Sequence, residues 1–120
     1  MNQQEAKKMK YFSEMKGKKV IIVGGSKGIG KNIALAFAEL GSDVLITGRN
    51  EQDLQETTEE LKTLSPNCSY LTADIQDVQQ IYEMVDHAYD RLGRIDVLIN
   101  NAGINIAKPA LEVTEDDWDR

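Results

Sequence analysis

Short runs of apolar, β-branched residues alternate along this chain with longer segments whose apolar positions recur every three to four residues. Lys19-Val20-Ile21-Ile22-Val23 is the first such run and ends at a glycine cluster, as a buried strand of a parallel sheet does. From Gly28 the period changes. Ile29, Ile33, Ala36, Phe37 and Leu40 fall on one helical face, and Gly41 supplies a stop. Asp43–Thr47 reads as a second strand, Gln52–Leu64 as a polar helix ended by Ser65-Pro66-Asn67, and Ser69–Thr72 as a third strand. A further helix carries Val78, Ile81, Val85, Ala88, Tyr89 and Leu92 on one face and closes at Gly93. Ile95–Ile99 is the fourth strand, and Thr114-Glu115-Asp116-Asp117 resembles a capping box opening one more helix.

The predicted order is β-α-β-α-β-α-β. Strands alternating with helices of about 10–15 residues imply right-handed crossovers and a parallel sheet. The expected fold class is therefore α/β, a doubly wound parallel sheet of the Rossmann type, cut off after its fourth strand. Two segments are expected: a polar, basic arm over residues 1–17, and a nucleotide-binding half domain over residues 18–120. The arm shows no clean amphipathic period and reads as a solvated leader.

The first strand runs directly into Gly24-Gly25-Ser26-Lys27-Gly28-Ile29-Gly30 and then a helix. Glycines belong in such a turn because it needs unusual backbone angles, and because side chains would hold a phosphate away from the main chain. The amides of the following helix then point at an anion, with the helix dipole in support. Strand, glycine loop and amphipathic helix in sequence point to the pyrophosphate of a dinucleotide.

The spacing G-x-x-x-G-x-G, together with Asn100-Asn101-Ala102-Gly103 after the fourth strand, resembles the short-chain dehydrogenase/reductase family. The resemblance runs from about Lys16 to Arg120. It implies that Gly24, Ser26, Lys27, Gly28, Ile29 and Gly30 form the cofactor loop. Asp74, with Ile75 beside it, matches the family's acidic residue at the adenine; a helix cap near Asp77 is the competing reading. Asn101, Ala102 and Gly103 match the segment along the nicotinamide ribose. One position departs from the pattern. Val23 stands where the family usually has a threonine, and it lacks the hydroxyl that helps tie the turn to the neighbouring strand.

Cofactor choice is written at the end of the second strand. NAD-specific members carry a carboxylate there, which binds the ribose hydroxyls and repels a 2′-phosphate. This chain has Gly48, then Arg49 and Asn50. Arginine offers a planar fork of donors suited to phosphate, and Lys27 is a second cation in the loop. The expectation is NADP(H), with NAD less favoured.

Composition adds exclusions. With 41% apolar and 28% charged residues, the 120-residue chain is of ordinary globular type. No apolar run is long enough to span a membrane, and the first residues lack the apolar core of a secretion signal. A lone Cys68 fits a reducing compartment, and the expected location is cytoplasmic. The net charge of −6 is uneven. Residues 1–19 hold six lysines against Glu5 and Glu14, leaving the rest strongly acidic. That arm has no arginine and few aromatics, so no nucleic-acid or membrane partner is expected. His87 lies off its helix's apolar stripe, and Glu112, Glu115, Asp116, Asp117 and Asp119 suit a helix N-terminus. No metal site is expected.

The family's chemistry also needs a Ser and a Tyr with a lysine four residues later. Tyr11, Tyr70, Tyr82 and Tyr89 are followed at that spacing by Met15, Asp74, Asp86 and Gly93, so no catalytic residue is assigned. Three readings stand: part of a longer oxidoreductase acting on a small carbonyl or alcohol substrate, a non-catalytic dinucleotide-binding or interaction module, or one chain of a split enzyme. The complete enzyme is expected to be a homo-oligomer. The loop over residues 103–109 resembles members acting on sugar acids, polyols or 3-oxoacyl thioesters and does not choose among them.

Overall fold

The computed structural model describes residues 2–101. The chain folds as α1 (Gln3–Met15), β1 (Lys19–Val23), α2 (Gly28–Glu39), β2 (Asp43–Gly48), α3 (Glu51–Leu64), β3 (Ser69–Thr72), α4 (Val78–Leu92) and β4 (Val97–Asn100). All strand pairs are parallel, in the order β3-β2-β1-β4. The doubly wound α/β sheet expected from the alternation is present.

Alternate side chains of each strand enter opposite layers. Val20, Ile22, Val44 and Ile46 pack on Ala34 and Ala38 of α2 and on Leu54 and Leu61 of α3. Ile21, Val23 and Leu45 pack on Met84 and Ala88 of α4. Both faces of the two central strands are thereby buried, which is why those strands read as continuous apolar runs.

The structure corrects three details. The basic arm, read as a solvated leader, is helical, residues 3–15 forming α1. Its Gln, Glu, Ala, Lys and Met residues favour helix without needing an apolar stripe, and the Asn2 side chain accepts from the Glu5 amide at 2.8 Å. The described side chains from Asn2 to Glu14 are exposed. The helix docks at its last residue, where the Ser42 hydroxyl donates to the Met15 carbonyl at 2.9 Å.

On α2 the buried line is Gly30, Ala34 and Ala38, with Ile33 and Phe37 half-buried beside it. Ile29, expected on the core face, is 69% exposed, and Ala36 is exposed as well. The helix approaches the sheet on its smallest residues, so a pattern built on its largest apolar ones is rotated from the true contact line. On α4, Tyr89 leaves the expected face and Met84 joins Ile81 and Ala88 inside.

Strand β4 begins at Val97 rather than Ile95, because Asp96 is engaged in fastening it to β1. The Asp96 amide donates to the Lys19 carbonyl at 2.9 Å. Its carboxylate accepts from the Lys19 amide at 2.8 Å and from Arg94 Nε at 3.0 Å. These two donors, the Lys19 amide first, hold the Asp96 carboxyl below its ordinary value. Among the described residues β4 has β1 as its one strand neighbour.

The sign of the Asp96 shift fixes its pH dependence. A depressed native pKa means a stabilisation present above the ordinary aspartate value, near 4, and lost as pH falls through the native value. D96N should therefore unfold at lower denaturant than the unmutated chain at pH 7. The gap between the two should close progressively below about pH 4. Chemical denaturation of both proteins across pH 2–7 measures it, and a gap independent of pH would remove the charge from the explanation.

Candidate functional site

The carboxyl ends of the strands meet where the chain reverses its direction of travel across the sheet. After β1 the crossovers step outward to β2 and β3 over one face, and α4 then returns the chain to β4 on the other side of β1. Ligands of open α/β sheets bind at such a switch point. Here it opens into a cleft of about 540 Å³, a size suited to a small ligand. Its wall runs from Val23, Gly24, Ser26 and Lys27 after β1, across Thr47, Gly48 and Arg49 at the end of β2, to Ala73, Ile75 and Asn101.

The turn from β1 into α2 is held by main-chain bonds on both sides. The amides of Gly24 and Gly25 donate to the Thr47 carbonyl at 2.9 and 3.3 Å, and the Asn101 amide donates to the Val23 carbonyl at 2.8 Å. Asn101 Nδ2 reaches the Gly24 carbonyl at 3.5 Å, and the Thr57 hydroxyl of α3 donates to the Ser26 carbonyl at 3.1 Å. These bonds tie the turn to β2, β4 and α3 without a hydroxyl at position 23. Val23 instead packs in the α4 layer.

Two glycines are required by space. A Cβ on Gly30 would lie 2.1 Å from the Gly24 carbonyl oxygen and 2.7 Å from Asn101 Nδ2. A Cβ on Gly25 would lie 2.6 Å from Ile46 Cγ2. Gly24 and Gly28 have positive φ, at 81° and 57°. The result is a main chain drawn close to the sheet, with α2 starting at the cleft. Lys27, the residue that opens α2, makes no side-chain cap bond, whereas Asn50 caps α3 and Asp77 caps α4. The first amides of α2 thus donate no bond to their N-cap side chain, at the place where an anion would be received.

The predicted residues divide clearly. Gly24, Ser26, Lys27, Arg49, Ile75 and Asn101 line the cleft. Gly28 and Gly30 shape it through the backbone, while the Ile29 side chain stands in solvent. Asn50 is committed to the α3 cap, its Oδ1 accepting from the Asp53 amide at 3.0 Å. Asp74 is exposed and accepts from Gln76 Nε2 at 3.1 Å. It borders a separate shallow depression with Glu83 and His87, because consecutive residues leaving a strand point to opposite sides. The competing cap role belongs to Asp77, in a full capping box with Gln80. Ala102, Gly103, the loop over residues 103–109 and the acids of residues 112–119 lie outside the described residues.

Sequence reasoning missed Gly25, Thr47 and Asp53. Thr47 lines the cleft, and its buried hydroxyl has no hydrogen-bond partner among the described residues. Asp53 pairs with Lys27 at 3.1 Å. The doubled glycine at 24–25 was a visible signal; the other two contacts arise between elements and left none.

A parallel sheet with a glycine turn, a helix N-terminus and an open cleft at its switch point defines a doubly wound nucleotide-binding fold. The short chain dehydrogenase family model matches residues 18–120, and the chain belongs to that family. It is 40% identical over 102 residues to a 3-oxoacyl-acyl-carrier-protein reductase of Chlamydia pneumoniae, covering 85% of this chain and 41% of the relative. A short chain dehydrogenase from Bacillus anthracis superposes with a TM-score of 0.64 at 40% identity, covering 87% of this chain and 42% of that one. The RhlG/NADP active-site complex of Pseudomonas aeruginosa superposes at 0.70 with 31% identity, covering 78% and 37%. The chain spans between about a third and two-fifths of the length of the curated relatives it matches.

The close approach at Gly30 and the open space at Gly28 predict unequal responses. G30A should destabilise the fold by about 1–3 kcal/mol, because backbone must move to admit the new carbon. G28A has nothing within 4 Å of its Cβ and only a positive φ to strain, at about 1–2 kcal/mol. G30A alone should also displace Asn101, visible as a shifted side-chain amide resonance. Equal melting and an unmoved Asn101 in the two variants would contradict the close approach.

Proposed function

We propose that this chain is the cofactor-binding part of an NADP(H)-dependent oxidoreductase that moves hydride between NADP(H) and a small carbonyl or alcohol substrate. The observation that carries the reading is the composition of the cleft at the end of β2. Gly48 supplies no carboxylate there, Arg49 lines the cleft, and no carboxylate pairs with Arg49 among the described residues. The glycine cradle and the uncapped start of α2 fit a dinucleotide phosphate group.

In this reading the amides at the start of α2 receive the pyrophosphate, and Arg49 and Lys27 receive the 2′-phosphate. Ile75 and Ala73 supply an apolar wall for the base, and Asn101 braces the turn from the β4 side. When bound, the nicotinamide supplies hydride chemistry. Asn50 and Asp74 would act on the cofactor only through side-chain positions other than the ones they hold here. The relative named for a 3-oxoacyl carrier-protein substrate and the neighbour named for NADP support the carbonyl class and the cofactor.

Two outcomes test this. A charge-assisted contact to a phosphate is worth about 1.5–3 kcal/mol, roughly ten- to a hundredfold in affinity. Fluorescence titration at low salt should therefore favour NADPH over NADH several-fold, with the advantage shrinking as salt screens the exposed cations. A Cβ on Gly48 would meet Leu54 and Ser26 at 3.4 Å, close to ordinary contact. G48D combined with R49Q should thus fold and reverse the order. Equal affinities in the unmutated chain would sink the assignment.

The second outcome concerns turnover. The chain contains no tyrosine followed four residues later by lysine, the pair expected to exchange the substrate proton. Purified alone, it should give no ketone reduction with NADPH and no alcohol oxidation with NADP. Activity surviving replacement of all four tyrosines would require different chemistry.

A further inference from the structure

Asp53 has no place in the dinucleotide reading, yet it holds one of the two cations on which that reading depends. Its Oδ2 lies 3.1 Å from Lys27 Nζ. The two ends of this pair are unequal. Asp53 sits in the first turn of α3, its amide fixed by the Asn50 cap at 3.0 Å, and its side chain is 27% exposed. Lys27 is 76% exposed on a flexible stem and lines the cleft, which Asp53 does not. The aspartate is the anchor and the lysine the tethered group.

Neighbouring charges leave this pair distinct. Lys31, one turn further along α2, pairs with Glu60 at 3.0 Å. Glu51, the other acid in the first turn of α3, accepts from the Tyr70 hydroxyl at 3.3 Å. Among the described residues, Asp53 is therefore the carboxylate paired with a cation of the cleft wall, Lys27.

We infer that Asp53 is a specificity-determining residue that weakens the preference for NADP(H) by neutralising Lys27 at the mouth of the cleft. The inference rests on the cofactor reading above. A phosphate oxygen hydrogen-bonded to Lys27 Nζ would lie within roughly 6 Å of the Asp53 carboxylate, given contacts near 2.8 Å for each charged pair. That is inside the screening length of about 10 Å at 0.1 M salt, so the phosphate meets a like charge and competes for the ammonium. NADH carries no 2′-phosphate and meets the pair only through its pyrophosphate, which the α2 amides receive in either cofactor. In the present arrangement Arg49 carries most of the discrimination, and Lys27 contributes only as far as Asp53 releases it.

The test is a set of NADPH and NADH fluorescence titrations on the full chain with D53N, K27Q, the D53N/K27Q double variant and R49Q. D53N keeps the capped backbone amide and removes only the charge. It should tighten NADPH about three- to fivefold, the scale of one exposed ion pair, and leave NADH within about twofold. In the K27Q background the gain should fall below about twofold, and D53E should bind as the unmutated chain does. A D53N protein that binds NADPH unchanged or more weakly, while the unmutated chain prefers NADPH, overturns the role of Asp53 alone. An unmutated chain that binds both cofactors alike, with R49Q without effect, overturns the cofactor reading and this inference with it.

Discussion

Between the end of β1 and the first turn of α2, the chain comes back so near itself that the Gly24 carbonyl occupies the space where a side chain on Gly30 would begin, 2.1 Å from its Cβ position. Everything around the cleft depends on that approach. It lets α2 lie on the sheet along Gly30, Ala34 and Ala38. It aims the start of the helix into the switch point, and it leaves Asn101 Nδ2 close enough to reach the Gly24 carbonyl at 3.5 Å. A helix set one side chain further from the sheet would lose the contact line and the anion-receiving geometry together.

The same approach explains why the turn tolerates valine at position 23. Its main-chain groups are bonded to β2 through Thr47 and to β4 through Asn101, and Thr57 of α3 holds the Ser26 carbonyl. Three elements distant in sequence secure one loop, so a single hydroxyl is dispensable. Packing then frees Val23 to act as a core residue in the α4 layer. The cleft is consequently rigid on its glycine side and adjustable on its charged side, where Lys27 and Arg49 are exposed.

The charged rim shows how local rules and long-range contacts divide the work. Asn50 and Asp77 both stand one residue before a helix, and each does what short polar residues do there, accepting the amide three residues on. That local demand engages the Asn50 Oδ1 in the α3 cap and leaves Asp74 free of the α4 cap. Asp53, placed by ordinary helix preference in an acidic first turn, meets Lys27 only because α3 packs beside α2. The same residue therefore serves the helix dipole and tempers a binding site.

Sequence alone determined the order of elements from β1 onward, the parallel sheet and the glycine turn at its edge, because these follow from signals that are local and redundant. The runs Lys19–Val23 and Ser69–Thr72 are strands with the bounds their β-branched residues and flanking breakers indicated, and the glycines at 24 and 28 mark the turn by conformation. Tertiary structure decided which face of α2 is inside, since small residues are buried by proximity to the sheet and carry almost no hydrophobic signal of their own. It wound the solvated arm into a helix joined at Met15 to Ser42. It also chose Asp53 as the partner of Lys27, because a side chain's partner across two elements depends on their spacing and rotation, which no single segment of sequence encodes.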